Sequence, residues 1–230
     1  MTSYATRTIA FVCELFHPPQ APATEAVQRL HNRYFSQGNS PYSSFAVTPM
    51  GPVLSNPGMK PGAVSQAAFL PDRIQFREEL GALTAEEFSQ RVMRVAQDSS
   101  AERKLDNFAG QQVTIRTLVN PRKFEDAVSY MRDGLFGFGD MIDVFQQDPQ
   151  IFGLRMVFPP SQASRSSNAV RIENYAQDSR TLYLENQSTS GPMSAETGFD
   201  SIEGNVMEAY SFLVEKASSF VQAFDIKLDE

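Results

Sequence analysis

Tryptophan is absent from the chain, cysteine occurs once and histidine twice. A single cysteine, Cys13, excludes an internal disulfide, which fits a reducing compartment. Two histidines, His17 and His31, leave no His/Cys cluster with the spacing of a metal site. No run approaches the ~18 apolar residues of a membrane-spanning helix. The N-terminal "MTSYATRTIAFVCELF" lacks the basic start, apolar core and cleavage site of a secretory leader. A cytoplasmic protein without a membrane partner is the expectation.

Positive charge is also scarce. The net charge is −7. Residues 1–115 hold ten acidic and ten basic side chains, whereas residues 116–230 hold seventeen and ten. Nucleic-acid binding draws on basic patches that displace counterions. Neither half has one, so no nucleic-acid partner is expected.

The common chemical motifs are missing as well. There is no Gly-x-x-x-x-Gly-Lys, no Gly-x-Gly-x-x-Gly and no Gly-x-Ser-x-Gly. "GLFGFGD" (134–140) follows a helical pattern, where a phosphate loop needs a preceding strand, and reads as a helix stop and restart. The carboxylate pairs Asp140/Asp143, Glu78/Glu79 and Glu173/Glu185 have local explanations. Glu173 and Glu185 are expected to face each other across a hairpin, with Arg171 or Arg180 between them. A nucleophilic site would require His31 to reach Cys13 through the fold. No catalytic residue, cofactor or metal is assigned.

What is present is a regular alternation of strands and helices. "TIAFVCELF" (8–16) reads as a strand that stops at His17-Pro18-Pro19, since proline cannot donate to a ladder. A helix over 24–36 follows, with Thr24 as its cap. Strands are predicted at 43–48, 64–70 and 73–79, with a flexible turn at "NPGMKPG" (56–62). Thr84-Ala85-Glu86-Glu87 is a capping box opening a helix that ends in the polar stretch 98–107. "VTIRTLVNP" (113–121) is a strand, and Asn120 and Pro121 are expected to start a helix over 121–136. A short helix near 140–147 and strands at 151–158, 169–176 and 180–187 come next. Ser-rich loops are predicted at 160–167 and 188–198. A long helix over 201–224, capped by Asp200 or Glu203, closes the chain with a stripe of Ile202, Val206, Tyr210, Leu213, Ala217, Phe220 and Phe224.

The element order repeats. "AFVCELFHP" (10–18) parallels "VTIRTLVNP" (113–121), and "EAVQRLHNRYF" (25–35) parallels "DAVSYMRDGLF" (126–136). These offsets, 103 and 101, suggest a duplicated βαβββα unit. The expected fold class is α+β: antiparallel sheets covered by helices on one face, in a pseudo-twofold arrangement of residues 1–110 and 111–230. By the proline alignment, Arg116 takes the place of Cys13.

Three segments share the pattern apolar-x-apolar-Arg: "IQFR" (74–77), "VTIR" (113–116) and "FGLR" (152–155). Alternation along a strand turns each arginine away from its apolar neighbours. Arg77, Arg116 and Arg155 therefore belong to the face opposite the helices. They face solvent with Glu partners, or they form a basic platform for an anionic ligand or acidic peptide. The expectation drawn from this is a binding or assembly protein more than an enzyme. It would hold a protein or peptide partner, or a second copy of itself, on an open sheet face or in a groove between the halves. The alternative is a small-molecule-binding domain with an apolar cleft on the pseudo-twofold axis.

Overall fold

The computed structural model describes residues 4–225 except Pro22, Asp148, Ala163 and residues 195–198. Strands β1 (Arg7–Phe16), β2 (Ser44–Thr48), β3 (Gly51–Asn56), β4 (Val64–Phe69), β5 (Arg73–Glu79), β7 (Gly110–Val119), β8 (Gly153–Phe158), β9 (Ser167–Asn174) and β10 (Leu182–Ser190) form one antiparallel sheet. Its order is β2-β3-β4-β5-β1-β7-β10-β9-β8. Two short strands, β6 (Asn107–Phe108) and β11 (Met193–Ser194), pair separately.

The helices are α1 (Thr24–Ser36), α2 (Ala85–Arg103), α3 (Ala127–Ser129) running into a π-helical turn (Tyr130–Leu135), and a 3₁₀ segment (Gly139–Phe145). The last helix is α4 (Ser201–Ser211), a π-helical turn (Phe212–Ala217) and α5 (Ser218–Ala223). Fold class is α+β, with the sheet covered by helices on one face. A single core joins Cys13, Leu15, Ile74, Phe76, Val113 and Ile115 of the strands to Val27, Phe88, Val206 and Leu213 of the helices. The opposite face of the central strands bears polar side chains.

Both sides of the sheet grow outward from the β1/β7 pair by the same plan. The first strand lies at the centre, a helix crosses over, and the later strands return from the edge as a meander. The side containing β1 has one strand more. β1 and β7 pair edge to edge, with Cys13 opposite Val113 and Val12 opposite Thr114.

Local chemistry accounts for most boundaries. Thr84 Oγ1 accepts from Glu87 N at 3.2 Å, and Glu87 Oε2 accepts from Thr84 N at 2.8 Å, closing the expected capping box. That helix ends within the polar stretch, at Arg103, with Lys104 at its C-cap adopting φ 55°. β3 is a strand that sequence reasoning missed, because Gly51 and Pro52 disguise it. Gly51 is needed there: φ is 138°, and a Cβ would lie 2.2 Å from the Phe69 carbonyl oxygen. Pro52 pairs only with β2, so its missing donor breaks no ladder toward β4.

Other expectations are corrected. Thr24 does not cap α1; Ala23 holds that position, without a side-chain bond. No helix starts at Asn120 or Pro121. Asp225 accepts from the backbone N–H of Arg122 and Lys123 at 2.7 and 2.9 Å, so a tertiary contact satisfies donors that a first helical turn would leave free. The cap is Asp126, whose Oδ1 accepts from Ser129 N at 2.7 Å. Ser188, Thr189 and Ser190 are strand residues of β10, while residues 195–198 of that predicted loop lie outside the described residues. Asp200 stands at the N-cap of α4 but makes no side-chain cap bond. The π-turn after α4 adds a residue to the period, so the buried stripe continues through Leu213, Ala217 and Val221 and leaves Phe224 exposed.

Candidate functional site

The middle of the open face is a shallow depression of about 390 Å³. It straddles the β1/β7 seam. Val12 and Glu14 of β1, Gln75, Arg77 and Glu79 of β5, Gln112, Thr114 and Arg116 of β7, and Glu185 and Gln187 of β10 line it. Strand alternation explains the set. These residues stand between the core residues Cys13, Leu15, Ile74, Phe76, Val113 and Ile115, so they point the other way.

Arg77 and Arg116 therefore share one site. Arg155 does not; it lies on edge strand β8, two strands beyond β10. Neither central arginine is free. Arg77 Nε donates to Glu79 Oε1 at 2.8 Å, and Arg116 Nε donates to Glu185 Oε2 at 2.8 Å. Both side chains are about one-third exposed, 35 % each, so they are neither bulk-solvent nor core groups. The two described partners follow from register. Arg116 sits beside Glu185, and Glu79 lies two positions along from Arg77 on the same face.

Glu185 is the hub. Tyr183 OH donates to its Oε2 at 2.7 Å, and Arg171 Nη2 lies 3.3 Å from its Oε1. Burial works to raise its pKa, but the hydrogen bonds from Arg116 and Tyr183 and the field of Arg171 prevail and hold it below the usual glutamate value. Burial, and then the bond to Glu185, push Tyr183 up to about 12. Glu173 and Glu185 do not face each other. Glu173 is opposite Tyr183 and Glu185 is opposite Arg171, whose guanidinium lies 3.9 Å from Glu173 as well. Arg171 intervenes as expected, and Arg180 belongs instead to the Asp178 turn. Along the same face, Glu14 accepts from Gln75 at 2.9 Å and from Gln112 at 3.3 Å.

The alignment of Arg116 with Cys13 fails in space. Cys13 points into the core and Arg116 onto the open face, and an odd slip between strands exchanges faces. Cys13 is fully buried, and burial pushes its thiol up to about 12. Its hydrogen-bond partner is Gln111 Nε2 at 3.4 Å. His31 instead lies tilted against the rings of Phe35 and Phe45. No hydrogen bond among the described residues joins Cys13 to His31.

His17 has a partner that sequence reasoning missed. Its Nδ1–H donates to Pro18 O at 2.8 Å, leaving Nε2 to accept from Arg103 Nη2 at 3.1 Å. Arg103 is buried over the Phe69 ring, and burial lowers its pKa to about 10, so it stays charged at neutral pH. The only signal for this pair was a lone histidine at a strand end.

Among the described residues, no group of three or more His, Cys, Asp or Glu could hold a metal ion. No helix of the described residues is long and apolar enough to cross a membrane. A scan against protein-family models gave no match, and neither did a comparison with curated protein sequences.

Proposed function

We propose that the protein is a non-enzymatic binding or assembly module that holds a protein or peptide partner across the β1/β7 seam. The observation that carries this reading is the seam depression itself: a concave, polar patch contributed by four strands of an open sheet face. Its charges are already matched by Arg77–Glu79 and Arg116–Glu185. A partner there has to bring balanced polarity, and peptide main chain does so. Gln75, Gln112, Gln187 and Thr114 each carry a donor and an acceptor for it. A small-molecule ligand is the second reading. The polar lining of the seam directs that reading toward a polar molecule, not one suited to an apolar cleft.

A photo-crosslinking side chain placed at Thr114 tests the proposal in cell extract and on the purified chain. A defined protein adduct, or a self-adduct, that disappears with Arg116→Glu is expected. Labelling no stronger than that from the same group at exposed Lys60 would sink the reading.

A further inference from the structure

One cross-strand row runs from the centre of the open face to the edge of the sheet. In register it reads Glu79 on β5, Ala10 on β1, Arg116 on β7, Glu185 on β10, Arg171 on β9 and Arg155 on β8. The charge alternates in sign until its last two members. Arg116 and Arg171 both reach Glu185, at 2.8 and 3.3 Å. Arg155 makes no ion pair and no side-chain hydrogen bond among the described residues, and its neighbour in register is another arginine. Like charges directly opposite each other are unfavourable. The row stops on the wrong sign because the sheet stops there.

The edge itself is open. Phe152 N donates to Asn174 Oδ1 at 2.6 Å, and Phe152 O accepts from Asn174 N at 3.3 Å, so both groups face β9. Alternation then turns the N–H and C=O groups of Gly153, Arg155 and Val157 away from β9. Natural edges are blunted by proline, charged side chains, bulges or a cover. "GLRMVF" has no proline, its pairing to β9 is regular, and its single charge is Arg155 itself. The strand and its approach carry exposed apolar side chains: Ile151, Val157 and Phe158.

We infer that β8 is a docking edge for an extended segment of a partner protein carrying a carboxylate, added as one more strand. The carboxylate stands opposite Arg155 and restores the alternation of the row. An apolar residue two positions away, on the same face, covers Val157. A second copy of this chain does not complete the row. Its β8 brings another Arg155, and its other edge strand, β2 with sequence SFAVT, brings no charge. This surface is separate from the seam depression and does not rest on the function proposed above.

The test uses labelled, strand-length peptides of alternating valine and threonine with either glutamate or lysine at the centre, titrated onto the full chain by fluorescence anisotropy. The glutamate peptide binds, and the lysine peptide binds on the order of tenfold more weakly. Arg155→Glu reverses that order. Val157→Pro removes an edge donor without cutting a β8–β9 hydrogen bond and abolishes binding of both; the urea midpoint checks that the variant still folds. Should it not fold, the Arg155→Glu reversal decides alone. Equal binding of the two peptides, no binding, or binding lost in Arg116→Glu but unchanged in Arg155→Glu overturns the inference. So does a dimer in light scattering that Val157→Pro dissolves, since that makes a second copy the occupant.

Discussion

Arg116 and Arg155 come from the same sequence pattern and stand in the same row of the same sheet, yet they live in different environments. Arg116 is flanked by strands on both sides, a third exposed and bonded to Glu185. Arg155 has a strand on one side only and an arginine for its neighbour. An interior strand position supplies partners from two directions, while an edge position supplies one. The same side chain is therefore a component of the fold at the centre and an unfinished contact at the rim.

Substitutions can break that comparison in graded steps. The helix-side neighbour of Arg116 sets the upper end. Ile115 is fully buried, and Ile115→Ala should cost about 2–5 kcal/mol in urea unfolding through lost burial and the cavity left behind. A loss under about 1 kcal/mol would mean that the core beneath the seam is not tightly packed. Glu185→Gln comes next. It takes the charge from a half-buried hub and leaves Arg116 and Arg171 without their shared carboxylate, a loss of about 1.5–3 kcal/mol for charge-assisted hydrogen bonds. Arg155→Ala sits at the lower end, within about 0.5 kcal/mol of wild type, as for an exposed residue with nothing to lose. If Arg155→Ala costs as much as Glu185→Gln, the distinction between centre and edge collapses.

Acidity sharpens the same contrast. The folded-state pKa of Glu185 is depressed, so the native chain binds fewer protons than the unfolded chain in the acid range. Its contribution to stability is complete above the unfolded glutamate value of about 4.3 and is lost as pH falls through the lower folded value. Stability of the wild type should drop across that window, and Glu185→Gln should drop less steeply. An identical acid limb in the two proteins would show that Glu185 is not the hub. The smallest readout is chemical. Cys13 should resist thiol reagents at neutral pH in the native chain and react once urea unfolds it, because burial both blocks access and suppresses the thiolate.

Much of the fold was legible. Thr84 and Glu87 announced α2, and the hairpin of β4 and β5 appeared within a residue of its prediction. Period-two alternation placed Arg77, Arg116 and Arg155 opposite their apolar neighbours. Two of the errors show local signals overridden by partners distant in sequence. Pro121 looked like a helix start, but Asp225, about a hundred residues away, holds the backbone there. The motif alignment set Arg116 on Cys13, although a one-residue offset between strands is enough to exchange faces.

The sequence by itself determined which faces are wet and which are dry, because alternation and helical periodicity are properties of a short segment. It excluded an internal disulfide, and it marked the ends of β1 and β7 with prolines close behind them. Only the tertiary structure decided which wet residues meet. Glu79, Arg116, Glu185, Arg171 and Arg155 come from five different strands, and strand register alone assembles them into one row. Register depends on pairing between strands remote in sequence, so no single segment encodes that the row closes at Glu185 and remains open at Arg155.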